Sequence, residues 1–189
     1  MSEYENPRHL ALVCHPDTPA RAVRAIAVEV DLSFEEGFAL RFIVEGEIGA
    51  IVLPQGEGEL VIADSVTDGL WQSTCFEAFL TEEGQPDYTE FNYAPDGRWA
   101  CYQFDDYRSL LRPDDLAPWL METEREVGRY ALRVEPGIFP DTGSKLALSA
   151  VIEEIDGTKS YWALRHPLGK PDFHHPDCFA LTLEARGRA

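Results

Sequence analysis

Apolar and polar side chains alternate along most of this chain. Ile26, Val28, Val30 and Leu32 fall on one side of an extended backbone, with Ala27, Glu29 and Asp31 on the other. The same period of two sets Tyr130, Leu132 and Val134 against Arg133 and Glu135. It sets Leu146, Leu148, Ala150 and Ile152 against Ser149 and Glu153, and Phe179, Leu181 and Leu183 against Thr182 and Glu184. Each run is a half-buried strand. Phe38–Glu45 and Ala50–Leu53 read as two more strands, with Glu45–Gly49 turning between them. Gly- and acid-rich loops occupy Gln55–Glu59 and Glu82–Asp87. Helical spacing is confined to Asp114–Arg125, where Leu116, Trp119 and Leu120 share a face. Pro118 inside that run limits it to one short helix or turn. Many short strands with regular turn signals predict a single all-β domain over residues 1–189. The expected form is an antiparallel β-sandwich with jelly-roll or immunoglobulin-like layers and at most one or two short helices.

The middle of the chain carries the most informative alternation. Cys75–Leu80, Tyr88–Tyr93 and Arg98–Phe104 read as a three-stranded meander, with the turn Ala94-Pro95-Asp96-Gly97 between the last two. Strand parity assigns Phe76, Ala78, Leu80, Phe91, Tyr93, Ala100, Tyr102 and Phe104 to an apolar core face. It assigns Cys75, Glu77, Phe79, Tyr88, Glu90, Asn92, Trp99, Cys101 and Gln103 to the other face. Aromatic plates beside acids and amides are what a sugar site needs: rings stack on C–H faces, and polar groups take the hydroxyls. A loop covering that face, with the polar groups as its hydrogen-bonded anchors, accounts for the same pattern. The two readings are compatible.

Composition narrows the partners. The chain holds 34 Asp and Glu against 16 Lys and Arg, a formal net charge of −18. That excludes nucleic-acid backbones and anionic membrane surfaces as main partners. The 44% hydrophobic and 11% aromatic fractions support a packed core. The N-terminal stretch Met1–Pro7 lacks the basic and apolar regions of a secretory signal. The four cysteines are widely spaced, with no CxxC pair. A reduced, cytoplasmic chain is the expectation. The acids are uneven: residues 1–60 sum to −7, residues 61–127 to −11 and residues 128–189 to zero. The segment with the polar sheet face is therefore the most acidic, which favours a neutral or cationic ligand over a sugar phosphate.

The stretch Trp71-Gln72-Ser73-Thr74-Cys75-Phe76-Glu77-Ala78-Phe79-Leu80 resembles a strand of DOMON-like domains and of the related family 9 carbohydrate-binding modules. Tyr88 through Trp99 resembles the strand–turn–strand that follows it there. The segments Ser160–Pro167 and Lys170–Phe179 look like the end of a bacterial stand-alone subgroup. The resemblance implies a β-sandwich that binds sugars or haem without chemistry of its own. It implies Trp71 as one aromatic plate, Glu77 as a strand acid, Asn92 and Arg98 as polar contacts, and Trp162 as the second plate. With Glu90 and Trp99 from the alternation, these make up the candidate carbohydrate site.

Other chemistry has weaker sequence support. His166, His174, His175 and Asp177, with Asp172 and Cys178, are the densest group of potential metal or haem ligands, on a Pro-rich loop. They offer no standard ligand spacing, and adjacent His174 and His175 point opposite ways if extended. Glu77 and Glu90 are a possible glycosidase-type pair. Cys14-His15 lacks a third orienting residue, and the Asp105-Asp106 and Asp114-Asp115 pairs are possible calcium loops. No catalytic motif of established spacing occurs, so no residue is assigned a catalytic role. The expected partner is a carbohydrate-like small molecule. A haem or divalent-metal carrier, or a protein-interaction domain, is the alternative.

Overall fold

The structure is a computed structural model that describes residues 7–32, 38–54, 57–141 and 143–183. It is all-β. Its strands are β1 (Arg8–Cys14), β2 (Val23–Asp31), β3 (Ala39–Gly46), β4 (Gly58–Glu59), β5 (Cys75–Thr81), β6 (Tyr88–Tyr93) and β7 (Trp99–Asp106). They continue with β8 (Ser109–Pro113), β9 (Leu120–Glu126), β10 (Arg129–Glu135), β11 (Lys145–Glu153), β12 (Lys159–Ala163) and β13 (Leu181–Thr182). The only helical elements among the described residues are three single 3-10 turns. No helix among them is long and apolar enough to cross a membrane.

All the strands belong to one antiparallel sheet, ordered β4-β9-β10-β3-β2-β1-β12-β11-β5-β6-β7-β8, with β13 beside β11. The sheet changes layer at β1. Arg8–Leu12 pair with β2, while Val13 and Cys14 pair with β12. The two halves then lie face to face. Val28, Leu40 and Phe42 from one layer share a buried core with Phe76, Phe91, Leu148 and Ile152 from the other. The Phe42 and Phe76 rings sit 5.1 Å apart, and Phe76 also stacks at 6.4 Å on Tyr130. This inner core rests on the alternation of β2, β10 and β11, which point Ile26, Val28 and Val30, Tyr130, Leu132 and Val134, and Leu146, Leu148, Ala150 and Ile152 into it.

The second layer is buried on both faces. Its outer face carries another cluster: Cys75, Phe79, Tyr88, Ala100, Tyr102, Phe104, Val151 and Ala163. Phe173, Cys178 and Phe179 of the C-terminal segment and Leu70 of the segment before β5 cover it. Cover and cavity coexist on this face.

Three local expectations are corrected. The run Asp114–Arg125 forms no helix. Its second half is β9, which pairs along all of β10 and buries Met121 and Thr123. Partnership with β10 outweighs the weak helical spacing, and Pro118 removes the helix option upstream. Ala50–Leu53 is not a strand but a 3-10 turn at Ile48–Ala50 followed by a single bridge from Ile51 to Glu154. Both edges of β3 are already taken by β2 and β10, so a hairpin return has no place to pair. Of Phe179–Leu183, only Leu181 and Thr182 join the sheet. Phe179 follows the 3-10 turn Pro176–Cys178 and packs on Phe79 and Tyr88. Glu184, the end of that alternation, lies outside the described residues, as do Gln55 and Gly56 of the first acid-rich loop.

Phe76 is fully buried where the two layers meet. Phe76→Ala is expected to cost about 3–5 kcal/mol in urea denaturation, as large-to-small changes in a packed core do. A loss under about 1 kcal/mol would mean that the layers do not pack through this ring.

Candidate functional site

The site is a pocket of about 470 Å³ on the outer face of the second layer. Glu77 on β5 and Glu90 on β6 form its floor, both lining the pocket yet only 2% and 6% exposed. They share a face because Glu77 pairs with Asn92, two residues from Glu90 on the same strand. Their supports are specific. Ser149 Oγ donates to Glu77 Oε2 at 3.1 Å, and Asn92 Nδ2 donates to Glu90 Oε1 at 2.7 Å. Asn92 Oδ1 accepts the Cys75 thiol at 3.5 Å, so the amide is fixed from both ends.

Around this floor stand Trp71, Tyr102, Phe104, Tyr161 and Phe173. Trp71 sits on a 3-10 turn, Leu70–Gln72, is 44% exposed and meets Tyr102 edge-on at 6.2 Å. The strap that carries it, residues 60–72, is tied to β7. Ala63 N–H bonds Gly97 O, Thr67 N–H bonds Trp99 O, and Trp99 Nε1 donates to Ala63 O at 2.8 Å. The same strap brings Asp68, which accepts the Tyr102 hydroxyl.

The remaining wall comes from the β7–β8 turn and the C-terminal loop. Arg108 holds φ +53, an uncommon left-handed conformation for a side-chain-bearing residue. Two contacts hold it there: its N–H donates to the Tyr88 hydroxyl at 3.1 Å, and its guanidinium meets Asp172 Oδ1 at 2.7 Å. The Tyr88 hydroxyl lies 2.8 Å from His174 Nδ1. Having accepted from Arg108, it has its own proton to give His174. In the tautomer where Nδ1 accepts that proton, Nε2–H faces Glu90 Oε2 at 3.7 Å.

Burial governs the protonation of this group. It pushes both Glu77 and Glu90 well above the ordinary carboxylate range, and the Glu90 charge raises Glu77 further. The pair holds a proton near neutral pH. Burial also lowers His174 to about 4, with the nearby Arg108 charge acting in the same direction, so its ring is neutral at pH 7.

The register moves several expected positions. Tyr93 pairs with Trp99, so Trp99 and Cys101 share the inner face with Phe76 and Phe91. Ala100, Tyr102 and Phe104 take the pocket face, the reverse of the alternation reading. The reason is the connection. Ala94–Gly97 form a turn with Gly97 at φ +88, and Ala94 N–H bonds Arg98 O, so an odd number of residues separates the paired ends. A Cβ on Gly97 would stand 2.2 Å from Val61 O, which also ties this turn to the strap. Trp99 is thus an anchor for the strap that carries Trp71.

Trp162 is 5% exposed in the inner core, its indole bonded to Ser160 Oγ at 2.9 Å. Its neighbour Tyr161 is the residue that faces the pocket. Arg98 lies on the exposed turn, paired with Asp96 at 2.8 Å. The structure therefore brings together Trp71, Glu77 and Glu90, backed by Asn92, and leaves Arg98, Trp99 and Trp162 elsewhere. Asp68, Tyr102, Arg108, Tyr161 and Phe173 line the pocket without having been sequence candidates for it. The odd-length turn was the one signal for Tyr102; strand alternation at Tyr161 against Trp162 was the other.

The histidine group does not converge. His166 Nε2 bonds Val13 O at 2.8 Å, with its ring edge-on to His15. His174 is in the pocket wall. His175 Nδ1 accepts from Asp177 N–H at 3.2 Å and caps the Pro176–Cys178 turn. No three His, Cys, Asp or Glu side chains among the described residues are grouped to hold a metal ion. All four cysteines are free thiols.

No family model and no curated protein matches the sequence. A solved structure matches the fold: that of "a putative carbohydrate-binding protein" from Bacteroides uniformis ATCC 8492. The TM-score is 0.59 at 14% identity, covering 91% of this chain and 84% of that one. The likeness is one of fold.

The protonated pair predicts a pH signature. An unfolded Glu titrates near ~4.3, whereas these carboxyls keep a proton to higher pH in the fold. The native state then binds more protons than the unfolded chain, so stability falls as pH rises from ~4.3 towards the raised values. Glu77→Gln keeps the Ser149 bond and removes the charge. It is expected to melt above the wild type at pH 8, with the gap closing towards pH 4. Parallel melting curves across that range would contradict the protonated pair.

Proposed function

We propose that the pocket binds a carbohydrate or a similar polyhydroxylated small molecule and performs no chemistry on it. The observation that carries this reading is the half-exposed Trp71 standing over a floor of two buried, hydrogen-bonded carboxyls. Such a wall offers an apolar face to sugar C–H groups, and the floor offers donors and acceptors to hydroxyls. Tyr161 and Phe173 supply the further aromatic surface in the pocket lining that the sequence reading sought in Trp162. A protonated carboxyl donates while its ionised partner accepts, which suits a row of hydroxyls. The Bacteroides uniformis protein of the same fold lends weak support. The finer assignment to DOMON-like domains belongs to the same proposal and rests on Trp71 and Glu77 of the quoted motif meeting at one pocket.

The test is calorimetric titration with mono- and disaccharides, neutral and amino. At least one is expected to bind. Trp71→Ala is then expected to weaken it by about 2 kcal/mol, roughly thirty-fold, the scale for an aromatic anchor at the centre of a contact. Trp162→Phe, in the inner core, is expected to leave the affinity unchanged. No binding across the panel, or a Trp71→Ala variant that binds like the wild type, would sink the reading.

A further inference from the structure

We propose that the ligand of this pocket carries an ammonium group, seated over Glu77 and Glu90, so that an amino sugar is bound in preference to a neutral one. This rests on the carbohydrate reading above and narrows it.

Charge count is the first ground. Three carboxyl-bearing side chains, Asp68, Glu77 and Glu90, reach the pocket, against one guanidinium, Arg108. That guanidinium is already committed: Asp172 takes its NH2 at 2.7 Å. An anionic sugar would meet uncompensated carboxyls here, whereas a cation meets an unfilled demand.

Unused hydrogen-bonding capacity is the second. Glu77 Oε2 takes the Ser149 hydroxyl and Glu90 Oε1 takes the Asn92 amide. Glu77 Oε1 takes no hydrogen bond from the described residues, and Glu90 Oε2 has only the His174 edge at 3.7 Å. Two oxygens on side chains more than nine-tenths buried are thus left for a donor from the pocket. An ammonium has three N–H donors and matches both.

The walls are the third. Trp71, Tyr102, Phe104, Tyr161 and Phe173 put aromatic rings around the floor, the setting in which a cation gains from ring faces.

Binding then moves a proton. The titratable and charged groups facing the pair are Cys75 and Asp68, Tyr102 and Tyr88, His174, and Arg108 with Asp172. Cys75, Tyr88 and Tyr102 are raised by burial and stay neutral at pH 7 to 8, and His174 stays neutral because burial lowers it. The proton released when the ammonium docks therefore comes from the Glu77–Glu90 pair.

The experiment titrates the whole chain with glucosamine, galactosamine and mannosamine, each beside its N-acetylated form and its parent hexose, with cyclohexylammonium as an amine without hydroxyls. At pH 7, at least one amine is expected to bind tenfold or more tighter than both its neutral counterparts. The heat should vary with the ionisation enthalpy of the buffer in the sense of proton release. Glu77→Gln and Glu90→Gln, which keep the Ser149 and Asn92 bonds, should each cut the preference to threefold or less. Neutral hexoses bound as well as the amines would overturn the ammonium inference and leave the carbohydrate reading standing. Cyclohexylammonium bound as well as the amino sugars would support the ammonium and overturn the carbohydrate reading. No binding by any probe would overturn both.

Discussion

Two carboxyl groups held side by side away from water are the constraint around which this site is built. Burying one carboxylate is costly, and burying two adjacent ones forces a shared proton or an external cation. Glu77 and Glu90 meet that constraint through neutral hydrogen-bonding partners: Ser149, and Asn92 with Cys75 behind it. The surrounding layer has little freedom, because it is packed on both faces. The inner face presses on the opposite layer through Phe76, and the outer face lies under Phe173, Cys178 and Phe179. A rigid, doubly buried sheet keeps the carboxyls at fixed depth, and the 60–72 strap and the C-terminal loop add the walls.

Two chain segments distant in sequence depend on that sheet. Trp99 reaches away from the pocket to hold Ala63, and so sets where Trp71 and Asp68 arrive. Tyr88 stands between Arg108 and His174 and orients both. Wall and floor are therefore coupled through residues that never line the cavity. Trp99 and Asn92 act by holding others in place.

Much of the layered fold could be read from alternation, because β2, β5, β6, β10 and β11 bury one apolar face with a period of two. The carboxyl floor was legible for the same reason: Glu77 and Glu90 fall on the polar side of β5 and β6. The rest depended on register. One residue more or less in the Ala94–Arg98 connection exchanges the faces of β7, so Trp99 and Tyr102 traded places. Trp162 was chosen as the second plate by residue type, but its pairing with Ala150 and Cys14 points it inward and Tyr161 outward. β9 was hidden because only Met121 and Thr123 of its seven residues are buried, too few to show a period of two, while Leu116, Trp119 and Leu120 offered a helical spacing instead. Arg108 and Asp68 reach the site through tertiary hydrogen bonds that no local pattern encodes. The −18 charge gained a location: all three pocket carboxyls belong to the acidic middle segment, residues 61–127.

The central claim is that burial and mutual repulsion keep the Glu77–Glu90 pair partly protonated at neutral pH in the ligand-free protein. Carbon-13 NMR titration of the glutamate side-chain carboxyls, assigned with the single Gln variants, tests it most directly. The account predicts two coupled signals that remain partly protonated at pH 7, far above the ~4.3 of a glutamate in an unfolded chain. If both carboxyls titrate at the unfolded-chain value, the floor is two ordinary solvated acids and the account is contradicted.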